Sequence, residues 1–156
     1  MTRPQSDHDY YVRHQCSPQW RPFLVALAQE LGSHLDAEGA RALMRRLGTS
    51  IAQAHPLPSS ELLPELETAM NAVWSGMDWG WVELNDTGTA LQIVHHCAPI
   101  EAAFGAAGRP WGPAVLEGAY EQWLRAAGAG QRLRVRQAAG TALPADRTTF
   151  VFALAI

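Results

Sequence analysis

Charge is scarce in this chain. Asp, Glu, Lys and Arg make up 17% of its 156 residues, against roughly 25% in an average soluble domain. So little charge often means that part of the surface is covered in an oligomer. Twelve basic residues stand against fifteen acidic ones, a net charge of −3. That balance argues against nucleic-acid binding, which rests on neutralising phosphates. Cysteine is nearly missing: Cys16 and Cys97 are the only two, widely separated, and read as free thiols in a reducing compartment. The first fifteen residues, MTRPQSDHDYYVRHQ, hold no apolar leader segment. No apolar run approaches the roughly 20 residues that cross a bilayer. A cytoplasmic protein is expected.

What is present suffices for one domain, since 47% of the residues are apolar and a core of useful size can form. Residues 1–17 are polar, lack helical period and read as a flexible arm ahead of a single domain over 18–156. Ser17-Pro18 opens a helix whose apolar stripe is Trp20, Phe23, Leu24, Leu27 and Leu31, with Gly32 as its stop or bend. Asp36 is placed to cap a second helix to about Ala54. Its core side is Ala40, Leu43, Met44, Leu47 and Ile51, while Arg41, Arg45 and Arg46 face elsewhere. His55-Pro56-Leu57-Pro58 cannot continue a helix. Ser59 or Ser60 caps a third, buried through Leu62, Leu63, Leu66, Met70, Val73 and Trp74.

After Gly76 the apolar period falls from 3.6 to 2. Trp79, Trp81 and Glu83 alternate with Gly80, Val82 and Leu84; Asn85-Asp86-Thr87-Gly88 carries hairpin chemistry, and residues 90–97 return as a strand. A loop rich in Gly and Ala over 99–108 leads to Pro110 and Pro113, which bracket the start of a fourth helix to about Ala127. Residues 133–137 and 148–155 are two further strands, joined by a long connection over 138–146. Helices first and strands later predict an α+β fold. The N-terminal helices and one later helix then pack on one face of a small antiparallel sheet.

Trp79, Trp81, Trp111 and Trp123, four of six tryptophans, fall between Asp78 and Arg125. Two residues apart on a strand, Trp79 and Trp81 are expected to share a face. Such a face suits stacking of sugar rings, anchoring the sheet on its helices, or contact between subunits. Glu117 and Glu121 have the look of an acid/base pair, but Arg125 continues their row at i+4. The three are therefore read as a solvated charged stripe. His95, His96 and Cys97 raise a metal site with His14 or Cys16 as third ligand, yet the two close ligand pairs of a structural zinc site are missing. Gly105, Gly108 and Gly112 lack the Lys-Ser/Thr of a phosphate loop.

The runs MNAVWSGMDWGWVEL, ALQIVHH and PWGPAVLEGAYEQWL resemble the cellulose synthase operon protein D family, best over about residues 66–125. The resemblance rests on Asn71 before the Trp79-Gly80 strand and on Leu91-x-Ile93-Val94-His95. It rests further on Trp111-x-Pro113-x-Val115-Leu116-Glu117-Gly118-x-Tyr120-x-x-Trp123. It implies a non-catalytic, cofactor-free accessory subunit of the cellulose synthase complex, built as a homo-octamer (a tetramer of dimers) and associated with a proline-rich operon partner. The octamer's passages would guide or bundle nascent β-1,4-glucan chains while the particle orders synthases in a row. N-terminal segments would line the passages, and the chemistry of this arm nominates Tyr10 and Tyr11 as glucan contacts. Trp79, Trp81, Trp111 and Trp123 are the interface candidates. Attachment to the cytoplasmic side of the inner membrane is expected, with the periplasm as alternative. Rival readings are a glucan-processing hydrolase using Glu117 and Glu121, and a small-ligand or metal sensor using His95, Cys97 and an arm residue.

Overall fold

The Ser17 carbonyl accepts from the Trp20 and Arg21 N–H groups, both at 3.0 Å, and this turn launches helix α1 (Arg21–His34). The structure, a computed structural model, describes residues 14–138 and 150–155. Gly32 does not stop α1, because two more helical residues follow it. Asp36 caps α2 (Ala37–Ala54) as expected, its Oδ1 accepting from Gly39 N–H at 2.8 Å. Helix α3 (Leu63–Met77) starts instead at Leu62, with a proline in its first turn. Ser60 serves the approach to α3: its hydroxyl accepts from Leu62 N–H at 3.1 Å and donates to Glu65 Oε2 at 2.5 Å.

Strands β1 (Trp81–Asp86) and β2 (Leu91–His96) form the expected hairpin, paired from Trp81–His96 to Asp86–Leu91. The predicted loop over 99–108 in fact holds a short helix α4 (Ile100–Phe104) and a 3₁₀ turn (Ala106–Gly108). Helix α5 (Ala114–Leu124) ends in a wider turn over Arg125–Ala129, where Gly128 takes φ 99°. Strands β3 (Arg134–Gln137) and β4 (Phe150–Ala155) complete a four-stranded antiparallel sheet in the order β1-β2-β4-β3. Most of the connection between β3 and β4 lies outside the described residues. The fold is α+β, and Val82, Ile93, His95, Val135 and Phe152 make the buried sheet face.

Helices α2 and α5 cross at backbone contact. A Cβ on Gly48 would stand 1.8 Å from the Val115 carbonyl oxygen, and one on Gly118 would stand 2.0 Å from that of Arg45. This close crossing turns the α2 arginines inward, correcting the expectation that Arg41 and Arg45 face away from the core. It also leaves Leu47 exposed while Ala40, Met44 and Ala52 are buried.

Both sheet edges are closed by side chains four apart on a helix. Asn71 donates to the Val82 carbonyl at 2.9 Å and accepts from its N–H at 2.7 Å, while Glu67 accepts from Leu84 N–H at 2.7 Å. On the other edge, Glu121 accepts from Val135 N–H at 3.0 Å and Glu117 from Gln137 N–H at 2.9 Å. Four helical residues rise about 6 Å and two strand residues about 6.7 Å. One helical turn therefore matches two successive outward-facing N–H groups of an edge strand, which recur every second residue.

Only part of the stripe on α1 joins the core: Leu31 packs against it and Leu24 is half-buried. Trp20, Phe23 and Leu27 remain 55%, 58% and 38% exposed, and only Ala28 on this helix is buried. The spacing of the stripe is legible in the sequence; its partner is not within the described chain.

Gly118→Ala gains helix propensity but forces a methyl into the Arg45 carbonyl. The collision should prevail, lowering unfolding stability by about 1–3 kcal/mol or more in urea titrations; a neutral result would mean that the helices can separate without cost.

Candidate functional site

Three turns gather aromatic and polar groups at one end of the sheet. Asp78 ends α3 at φ 57° and ψ 43°, Gly80 follows at φ 78°, and Cys97 leaves β2 at φ 57°. A Cβ on Gly80 would stand 1.9 Å from the His96 carbonyl oxygen, so the positive φ and the close approach both demand glycine. The left-handed step puts Trp79 and Trp81 on opposite sides, correcting the shared face that strict alternation predicts. Trp79 turns inward and stacks on Trp74, ring centroids 5.7 Å apart and planes 14° apart. Trp81 stays on the outer sheet face, stacked on its cross-strand partner His96 at 5.2 Å and 20°. It remains 46% exposed.

Beside Trp81 lies an open cleft of ≈ 370 Å³ lined by His14, Gln15, Ser75, Asp78, Gly80, Trp81 and Cys97. Gln15 fixes one wall, its Nε2 donating to the Cys97 carbonyl at 2.8 Å. Cys16 is buried and its carbonyl accepts from Arg21 Nη2 at 3.2 Å. Gln15 and Cys16 are thereby tied to the folded body.

His95 is fully buried behind Trp79. Its Nε2 lies 2.6 Å from the Trp79 carbonyl and its Nδ1 lies 2.5 Å from the Tyr120 hydroxyl. A carbonyl only accepts, so Nε2 carries the hydrogen and Nδ1 accepts from Tyr120 O–H. Burial pushes the His95 pKa down to about 4 and raises that of Tyr120 well above its ordinary value. The imidazole is therefore neutral at neutral pH with both nitrogens engaged. Trp74 meets it edge-on at 5.1 Å and Trp123 packs on Trp74 at the same distance. His95 could ligate a metal with Cys97 only by giving up these bonds. Among the described residues no group of three or more His, Cys, Asp or Glu could hold a metal ion.

Glu117 and Glu121 are not a solvated stripe. Glu117 is 1% exposed, held by Arg41 Nη2 at 2.5 Å and Arg45 Nε at 2.8 Å, and it also receives the β3 edge N–H. Glu121 pairs with Arg125 at 2.5 Å and Arg136 at 3.4 Å. All twelve basic residues of the chain are arginine, whose planar guanidinium suits such multiple contacts. Two carboxylates committed to arginines and backbone amides do not flank a cleft as hydrolase residues must. The helical spacing is legible in the sequence; the crossing of α2 that covers it is not. A usable signal is the four-residue spacing of Arg41 and Arg45, which matches one carboxylate on a facing helix.

Trp111 and Trp123 are both buried within the chain. Trp111 packs on Phe104 at 5.2 Å, and Trp123 donates through Nε1 to the His55 carbonyl at 2.9 Å, pinning the proline-rich linker. Of the four tryptophans named from sequence, only Trp81 is broadly exposed. Tyr10 and Tyr11 lie outside the described residues.

The family model for the D-type subunit of cellulose synthase matches residues 6–149. The chain belongs to this family. Relatives include two sequences of cellulose synthase operon protein D from Komagataeibacter xylinus, 29% and 30% identical over 109 residues, covering 69% of this chain and 70% of each relative. Cellulose synthase operon protein D from Komagataeibacter sucrofermentans is 29% identical over the same length. The α3–β1 junction and α5, which build the site, carry the residues on which the family resemblance rests. Among the described residues, no helix is long and apolar enough to cross a membrane.

Two outcomes follow from this geometry. Glu117→Gln leaves two guanidinium groups facing an uncharged amide and should cost about 3–5 kcal/mol in urea unfolding; a change near zero would show that the arginines are solvated. His95 has a folded pKa near 4, below its ordinary 6.5. Between those values the unfolded chain binds the proton and the folded one does not. Its contribution is therefore fully present above about pH 6.5 and is lost as pH falls toward 4, about 3 kcal/mol in all. Subtracting the pH profile of His95→Gln from that of the wild type isolates this slope, and identical profiles would refute it.

Proposed function

We propose that the chain is a non-catalytic accessory subunit of a bacterial cellulose synthase complex. It assembles as a homo-octamer, a tetramer of dimers, that orders synthases and guides nascent β-1,4-glucan chains. Membership of the cellulose synthase operon protein D family carries the reading. The exposed face of α1 supports the assembly part: Trp20, Phe23 and Leu27, spaced three and four, form one apolar row. A second copy of the same row is its occupant in this reading. Its apolar character is self-complementary and suits the isologous pairing of a two-fold interface. The blocked sheet edges favour such helix-mediated assembly over strand addition.

The commitment of Glu117 and Glu121 to arginines supports an accessory role over a hydrolase, and the engaged ring of His95 weighs against the sensor reading. Within the proposed particle the N-terminal segment, with Tyr10 and Tyr11, contacts passing glucan, and a proline-rich operon protein is a partner. The complex is taken to sit on the cytoplasmic side of the inner membrane.

Light scattering on a sizing column tests the assembly. The expected mass is about 136 kDa, eight times the 17.0 kDa chain. The double variant Phe23→Asp, Leu27→Asp should give a smaller species with unchanged far-ultraviolet circular dichroism. A wild-type monomer at micromolar concentration would overturn the octamer; an intact octamer in the double variant would move the interface away from α1.

A further inference from the structure

The cleft beside Trp81 has features of a site rather than of a packing defect. Its volume of ≈ 370 Å³ falls in the range of small-ligand clefts, roughly 300–1,000 Å³. One wall is a half-exposed indole, and that indole is already held by its stack on His96. Glu83, two residues along the same strand as Trp81, lies 3.6 Å from His96 Nε2. Little side-chain freedom is then left to lose when a ligand settles on Trp81, which favours weak but specific contact.

The polar lining points to a neutral, hydroxyl-rich ligand. Asp78 and Ser75 stand exposed at the rim, on the last turn and cap of α3. Asp78 is held in place by a left-handed backbone whose N–H bonds back to the Ser75 carbonyl at 3.2 Å. A carboxylate only accepts, so it prefers ligand O–H groups and repels anions. An apolar ring face joined to acceptors at its edge matches a pyranose, whose axial C–H face is apolar and whose equatorial rim is hydroxylated. The open mouth lets a chain longer than one ring pass across it.

We infer that this cleft is a subsite for one glucosyl unit of a β-1,4-glucan, with the sugar ring on Trp81 and its hydroxyls donating to Asp78 and exchanging hydrogen bonds with Ser75. The inference rests on the proposed accessory role for the class of sugar, and adds a binding surface on the folded body, separate from Tyr10 and Tyr11. All of its named groups come from the α3–β1 junction. The Gly80 turn that separates Trp79 from Trp81 is what frees the second indole to serve as the platform.

The test is calorimetric titration of the full chain with cellopentaose, and with maltopentaose as the α-linked control. Wild type should bind cellopentaose saturably and maltopentaose much more weakly. Trp81→Ala should weaken cellopentaose binding at least about tenfold, Trp81→Phe should keep much of it, and Asp78→Asn should cost a few-fold. Near-ultraviolet circular dichroism and the sizing-column mass confirm that each variant folds and assembles. Wild-type affinity in Trp81→Ala, equal binding of the two sugars, or no cellopentaose binding by the wild type would each overturn the subsite. The accessory reading is judged separately, by assembly mass. An octamer that ignores cellopentaose sinks the subsite alone, while a monomer that binds it through Trp81 keeps the subsite and sinks the particle.

Discussion

One buried carboxylate, Glu117, holds three elements together. It sits on α5, receives Arg41 and Arg45 from α2, and accepts the Gln137 N–H of β3. Taking a charge out of water costs several kcal/mol, so the arrangement is stable only while every acceptor site is filled. The glycine crossing makes that possible. Gly48 and Gly118 let the two backbones touch, and touching backbones bring guanidinium groups within hydrogen-bonding reach of the carboxylate. Glu38 and the Pro110 carbonyl take the outer N–H groups of Arg45 and Arg41. The helical layer is thereby locked to the sheet through polar contacts as well as through the tryptophan-rich core.

The same logic closes the sheet. A four-stranded open sheet exposes two rows of N–H and C=O groups that invite pairing with another chain. Here α3 and α5 lie along the two edges, and each supplies two side chains spaced four residues apart. The Asn71 amide both donates to and accepts from Val82, as a fifth strand would. With the edges occupied, two surfaces open to contact among the described residues are the apolar row of α1 and the outer sheet face that carries Trp81. In the proposed reading the first meets another copy of the chain and the second a passing polymer.

Local chemistry is largely legible in the sequence. Asp36 caps its helix, the Asn85–Gly88 turn joins two strands, and the change from helical to strand period after Gly76 marks the passage from α3 to β1. The departures from expectation all have long-range or conformational causes. Alternation assigns Trp79 and Trp81 to one face, because the pattern does not reveal that Asp78 and Gly80 turn left-handed. Spacing at i+4 makes Glu117, Glu121 and Arg125 look solvated, since it is the same whether water or another helix covers the row. The stripe on α1 looks like core because an apolar face has the same period wherever its partner lies.

Most elements and the fold class follow from the order of residues alone, since they depend on capping, turn residues and period, all properties of neighbours along the chain; the short helix within the predicted loop over 99–108 does not. Three-dimensional packing was needed to settle which carboxylates are buried, which tryptophan reaches solvent and which helix face lacks a cover within the described chain. Those outcomes depend on which distant segment arrives against a given side chain. For Glu117 it is an arginine pair 72 and 76 residues away; for Trp81 it is a histidine across a hairpin.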